Sequence, residues 1–303
     1  MPSIRLSALL FVAAAAAAPR ESPLAFASSD ARLVEAFQWA KHQALAYVFD
    51  GDPVGPWYEA ALPGRQAFCM RDVSHQAAGA HALGLAPYTY NMLRRFAENI
   101  ADSRDWCSYW EINRENKPAP VDYQSDVAFW YDLPANFDVL DACLRMYRWT
   151  GDRRYIDDPV FLNFYDRSVK DYVERWQLDL DHVMKRPRPA PPPGPAARFL
   201  RSRGIPSYIE GRGWFVLGVD LLATEYAAYT AYNQVQELRG NQASAQGNMR
   251  KAAGVKQLVN DTWWDDAARK FASSAEFVGD FAGQRGGWPR NRYSLRQVES
   301  RER

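Results

Sequence analysis

Carboxyl groups set among aromatic side chains are the part of this sequence best suited to proton chemistry. Glu111 closes the run Trp106-Cys107-Ser108-Tyr109-Trp110-Glu111, and apolar rings around a carboxyl raise its pKa, which suits a general acid. Asp72 follows Arg71 at a predicted helix start, a position that suits a charged carboxylate gripping hydroxyl groups better than a proton donor. Glu210 sits between Tyr208 and Trp214. Asp122 and Asp126 lie farther along the Glu111 loop, near Tyr123, Phe129, Trp130 and Tyr131, and offer the same role. One acid that keeps its proton beside another that has lost it is what acid/base catalysis requires. Plainer roles compete: a helix cap for Asp72, and a solvated rim charge for Glu111 and Glu210. Asp132 and Asp138 bracket a helix start, where capping accounts for them equally well.

Aromatic residues make up 14% of the chain, with 11 Trp, 16 Tyr and 15 Phe, more than packing alone asks for. Sugar rings, flat aromatics and apolar groups stack on such side chains. Trp57, Trp106, Trp110, Trp130 and Trp214 fall in predicted loops, which favours a stacking surface, whereas Trp39, Trp149 and Trp176 follow helical stripes and are expected in the core. His75 and His81 are six apart, face different sides of a helix, and cannot form the i, i+4 metal pair. His75 is placed to hydrogen-bond a sugar and His81 to sit in the core. The sequence has no nucleophile elbow and no phosphate-cradling Gly-rich loop. Cys69, Cys107 and Cys143 have no metal-like spacing. They read as buried free thiols or as one bridged pair plus one thiol, with Cys69 to Cys107 the first candidate pair. The expectation is therefore no metal and no cofactor.

The elements that must carry these residues read as helix after helix. Asp30 caps a stretch from Ala31 to Phe49, ended by Gly51. Asp72 opens a helix that stops at Gly84, and another runs from Tyr88 to about Ala101. A long aromatic and acidic loop, Trp106 to Tyr131, precedes a helix from Pro134 to Thr150, with Pro near its start and Gly151 just past its end. Phe161 to Trp176, Val216 to Leu238 and Ala243 to roughly Val259 complete the set. Between them, residues 185–206 form a Pro- and Arg-rich insertion read as extended and solvated, and residues 281–303 an irregular tail. About seven helices, no alternating segments and mostly short connections make the chain all-α, built of antiparallel hairpins.

Length and charge narrow the class. With 303 residues, 47% apolar and 24% charged, the chain can bury a sizeable core, and a net charge of +1 gives no reason to expect a nucleic-acid partner. The first 27 residues read as a secretory signal peptide: Arg5, an apolar run from Leu6 to Ala18, and the small-x-small site Ala25-Phe26-Ala27. That run is shorter than the roughly 20 residues a spanning helix needs, so the expected setting is secreted or periplasmic, with no membrane contact once the signal is cleaved.

Two longer segments carry a resemblance. Phe68-Cys69-Met70-Arg71-Asp72-Val73-Ser74-His75-Gln76 with Gly79-Ala80-His81, and Trp130-Tyr131-Asp132-Leu133-Pro134-Ala135-Asn136-Phe137-Asp138 running to Trp149-Thr150-Gly151-Asp152, resemble the six-hairpin glycosidases, as does Ser207-Tyr208-Ile209-Glu210-Gly211. The likeness covers roughly residues 30–280. It implies an (α/α)6 toroid over residues 28–280 and a glycoside hydrolase-like pocket at one mouth of it, for an oligosaccharide or glycoside. Such hydrolysis needs two carboxyl groups flanking the scissile bond. Asp72, Glu111 and Glu210 are the catalytic candidates, and Arg71, His75, Trp57, Trp110, Asp126, Trp130 and Trp214 the substrate-binding ones. A full toroid of twelve helices needs on the order of 350 to 450 residues, so the chain reads as the first half of one. The rival readings are a non-catalytic carbohydrate-binding module, and a polysaccharide lyase on a similar toroid with Tyr208 and His75 abstracting the proton.

Overall fold

The structure, a computed structural model, describes residues 21–62, 64–186, 203–208, 215–267, 269–272, 274–277 and 293–296. Residues 1–48 and 49–303 form two compact units. In the first, Asp30 accepts from the Arg32 amide at 3.0 Å and caps α1, Ala31–Ala46, which ends three residues short of the expected Phe49. Lys41 Nζ donates to the carbonyls of Ser22 at 2.6 Å and Leu24 at 2.7 Å, and Phe26 packs on Phe37. Trp39 is 68% exposed rather than buried, because the stripe it shares faces solvent. Most of the expected signal segment, residues 1–20, lies outside the described residues.

The second unit is mostly helical. Its helices are α2 (Met70–Ala82), α3 (Ala86–Glu98), α4 (Pro134–Thr150), α5 (Arg154–Asp157), α6 (Pro159–Val169), α7 (Asp171–Arg175), α8 (Val219–Leu238) and α9 (Gln242–Thr262). α4 is the hub, packing on α2, α6 and α8. Phe137, Val139, Leu140, Cys143, Leu144 and Met146 along it are all at most 2% exposed, so it is apolar on more than one side. Pro134 at its first turn lacks an amide that would have no partner there, and Gly151 ends it in the left-handed region at φ +69°. Short connections bring α3 back along α2 and α9 back along α8, through Gly84 and Gly240 at φ +87° and +79°. The helix expected from Phe161 to Trp176 is broken at Lys170, whose φ and ψ of −121° and −84° separate α6 from α7.

A few short strands join the helices, which make up most of the fold. β1 (Ala67–Cys69) pairs antiparallel with β2 (Glu111–Asn113), and β3 (Tyr123–Ser125) with β4 (Ala128–Phe129). β5 (Tyr131–Asp132) pairs in parallel with β6 (Arg203–Ile205). β7 (Phe215–Gly218), β8 (Ser274–Phe277) and β9 (Tyr293–Arg296) form a three-stranded sheet with β8 in the middle. Segments of two to four residues leave no period in the sequence, which is why they read as loop. The tail is accordingly not irregular throughout: residues 293–296 are strand. Both ends of the Pro-rich insertion are also tied down, Arg186 being 8% exposed and residues 203–205 paired, while residues 187–202 lie outside the described residues.

The strand β6 passes tightly under an indole. Gly204 has φ +75°, and a Cβ there would lie 2.2 Å from Trp176 Cζ3. Gly204→Ala therefore combines left-handed strain with a ring clash, and is expected to cost about 2–4 kcal/mol, read as a lower denaturant midpoint at unchanged slope.

Candidate functional site

Residue types alone do not explain why Glu111 stands where it does; a ladder does. In the β1–β2 pair Cys69 faces Glu111, the Met70 amide donates to the Trp110 carbonyl at 3.0 Å, and the Ala119 amide donates to the Glu111 carbonyl at 2.9 Å. The chain leaves β1 directly into α2, so Glu111 is fixed beside the turn that carries Arg71 and Asp72. Asp72 is the third residue of α2 rather than its cap, half-buried, with its carboxylate against the Cys69 thiol. That thiol is pushed well up, first by burial and then by Asp72. All three cysteines are free and buried.

Glu111 is 2% exposed. Arg65 Nη1 donates to its Oε2 at 2.7 Å and stands 3.5 Å from Asp122 Oδ2. Glu111 Oε1 and Asp122 Oδ2 are buried and accept nothing from any described N–H or O–H, so a proton between the two carboxyls supplies the missing donor. Burial first, then the Asp122 carboxyl, push Glu111 up to about 8 against the pull of Arg65. Loss of water is the larger cause, the one expected of an apolar surround, and the Asp122 carboxyl adds to it.

A second cluster lies on the exposed side of α2. Asp138 Oδ2 accepts from Tyr208 Oη and, at 3.2 Å, from His75 Nε2. The His75 and Tyr208 rings meet edge-on, and the Arg71 guanidinium lies 5.2 Å from the Tyr208 centroid, 5.7 Å from that of Trp110 and 4.0 Å from the Asp132 carboxylate. β6 delivers Tyr208 to this place: the Leu133 amide donates to the Ile205 carbonyl at 2.8 Å, and Asp220 Oδ2 accepts from the Tyr208 amide at 2.6 Å. The hydrogen bond to Asp138 raises the pKa of His75, opposed by burial, Arg145 and Arg71. Asp138→Asn is therefore expected to lower the His75 midpoint in an imidazole NMR titration; an unchanged midpoint would separate the two side chains in solution.

The structure gathers Arg71, Asp72, His75, Trp110 and Glu111 around the start of α2, and adds Arg65, Asp122, Asp138 and Tyr208 as partners. It does not bring Trp57 there. That ring is 1% exposed, stacked on Phe49, with Nε1 donating to Asp52 at 2.8 Å, so it is core and not a stacking surface. Asp126 is spent on a surface knot, accepting from Ser103 at 2.5 Å, from Arg104 at 2.9 Å and from Tyr123; these donors hold it down at about 2. Trp130 is half-buried, its amide donating to the Asp122 carbonyl at 2.7 Å. Glu210 and Trp214 lie outside the described residues. Trp149, expected in the core, is 57% exposed against His81, whose two buried ring nitrogens find no partner among the described residues.

Among the described residues no group of three or more His, Cys, Asp or Glu is arranged to hold a metal ion, and no helix is long and apolar enough to cross a membrane. No protein-family model matches the chain, and no curated protein matches it.

Proposed function

We propose that this chain is a carbohydrate-active protein of the six-hairpin glycosidase type, its helices belonging to an (α/α)6 toroid, exported by its N-terminal signal and cleaving a glycosidic bond at the start of α2. One observation supports the reading: a buried glutamate, Glu111, pushed up to about 8 by burial and by the Asp122 carboxyl, stands on the strand paired with Cys69, three residues before Asp72 on α2. Glu111 gives its proton to the leaving oxygen, and Asp72 serves the opposite side of the bond as base or nucleophile. Tyr208 offers a ring to a sugar, Trp110 packs behind it as a buried support, and Arg71 and His75 offer donors to the sugar's hydroxyls.

The convergence of His75 and Tyr208 on Asp138 favours a second reading, a polysaccharide lyase. There an imidazole or phenolate takes the proton next to a uronic acid carboxylate, and the leaving oxygen departs by elimination. Product mass separates the two. Hydrolysis adds one water to the summed products and elimination adds none while creating an ultraviolet-absorbing double bond. Incubation of the full chain with neutral and uronic acid oligosaccharides is expected to give the water-added products. Unsaturated products would replace the hydrolase reading with the lyase one, and intact substrates throughout would leave the non-catalytic binding module.

A further inference from the structure

A hollow lies between the loop before β2 and α7. Asp102, Trp106, Asp171, Glu174 and Arg175 line a cavity of about 590 Å³, within the range of small-molecule sites at about 300–1,000 Å³. The indole of Trp106 is presented by unusual backbone: Asp105 and Trp106 are successive non-glycine residues in the left-handed region, at φ +54° and +61°. Such a conformation costs about 1–2 kcal/mol per residue, and for a bulky side chain it marks a position held for a purpose. The surroundings hold the ring still. The Arg167 guanidinium lies 4.6 Å from its centroid and is itself tied to Asp171 at 3.0 Å; Arg175 binds Asp102 at 2.8 Å and Asp105 at 3.2 Å.

We propose that this hollow is a binding site for a neutral saccharide, separate from the acid/base centre at α2. The rim sets three carboxylate acceptors, Asp102, Asp171 and Glu174, beside the Arg175 guanidinium donor, groups that bind hydroxyls, and the half-buried indole supplies apolar surface for the C–H face of a sugar ring. Asp102 is paired with Arg175 and Asp171 with Arg167, while Glu174 has no ion pair among the described residues, so the rim repels an anion and offers carboxylate acceptors to hydroxyls.

The test reads binding without turnover. The full chain is run in native gels containing amylopectin, xylan or a soluble β-glucan, and the association constant is taken from the retardation. The wild type is expected to be retarded by at least one polymer, and Trp106→Ala to weaken that association about tenfold. Glu174→Ala, on the exposed wall where folding is not at stake, is expected to weaken it in the same gel. No retardation of the wild type, or retardation of both variants equal to wild type, overturns the proposal. The outcome is independent of cleavage: a chain that hydrolyses nothing yet is retarded through Trp106 keeps this site and loses the other.

Discussion

Glu111→Gln is expected to lower glycosidic cleavage by about 10²- to 10⁴-fold while leaving the fold intact. The amide oxygen of Gln still accepts from Arg65, and its NH₂ supplies to Asp122 the donor that the carboxyl proton supplied, so no buried polar atom is orphaned. The same substitution changes how stability depends on pH. Glu111 titrates at about 8 in the folded chain against an ordinary 4.5. A raised folded value contributes stability fully present below about pH 4.5 and lost as pH rises toward 8. Glu225, 1% exposed and pushed to about 8 by burial, contributes a fall of the same sign. Denaturant midpoints measured from pH 5 to 8 should therefore decline in the wild type and decline less steeply in Glu111→Gln. Equal slopes would remove Glu111 as a titrating group in that window.

Arg65→Met carries the second large effect. Arg65 stands 2.7 Å from Glu111 and 3.5 Å from Asp122, and its side chain is 32% exposed whereas that of Glu111 is 1% exposed. Removing the cation leaves two acids in a place water scarcely reaches, at an expected cost of about 3 kcal/mol. The cost should be greater at pH 8 than at pH 5, because at pH 5 Glu111 is neutral and asks for less compensation. Adding Glu111→Gln to Arg65→Met should recover part of the loss, giving a coupling of about 1–3 kcal/mol in the double-mutant cycle. Purely additive effects would mean that the two side chains do not interact.

How much of this could be read from the residues depends on the range of the interaction concerned. α4 was legible to the residue, because Pro134 and Gly151 act within one turn of themselves. The break at Lys170 was not, since apolar spacing continues through α6 and α7 and the kink is a backbone event. Glu111 was legible as a carboxyl in low-polarity surroundings, but Arg65 was missed: the pair spans 46 positions, and nothing local to Arg65 marks it. The tryptophans show the limit most clearly. Trp57 reads as loop but lies in the short strand Trp57–Tyr58 and is core, while Trp39 and Trp149 sit on helices and face solvent, because element type does not decide which side of it meets a neighbour. Asp138 was legible as a residue in the first turns of α4, but its role as the acceptor for both His75 and Tyr208 depends on β6 returning from a distant part of the chain.

The most direct test of the account is the protonation state of Glu111 itself. Infrared difference spectra of the full chain, with Glu111→Gln as reference, isolate the carbonyl stretch of a protonated carboxyl and can be followed from pH 4 to 10. The band is expected at pH 7 and should disappear with a midpoint near 8. A band already gone by pH 6, with a midpoint near the ordinary 4.5, would show an ionised Glu111 and contradict its role as proton donor.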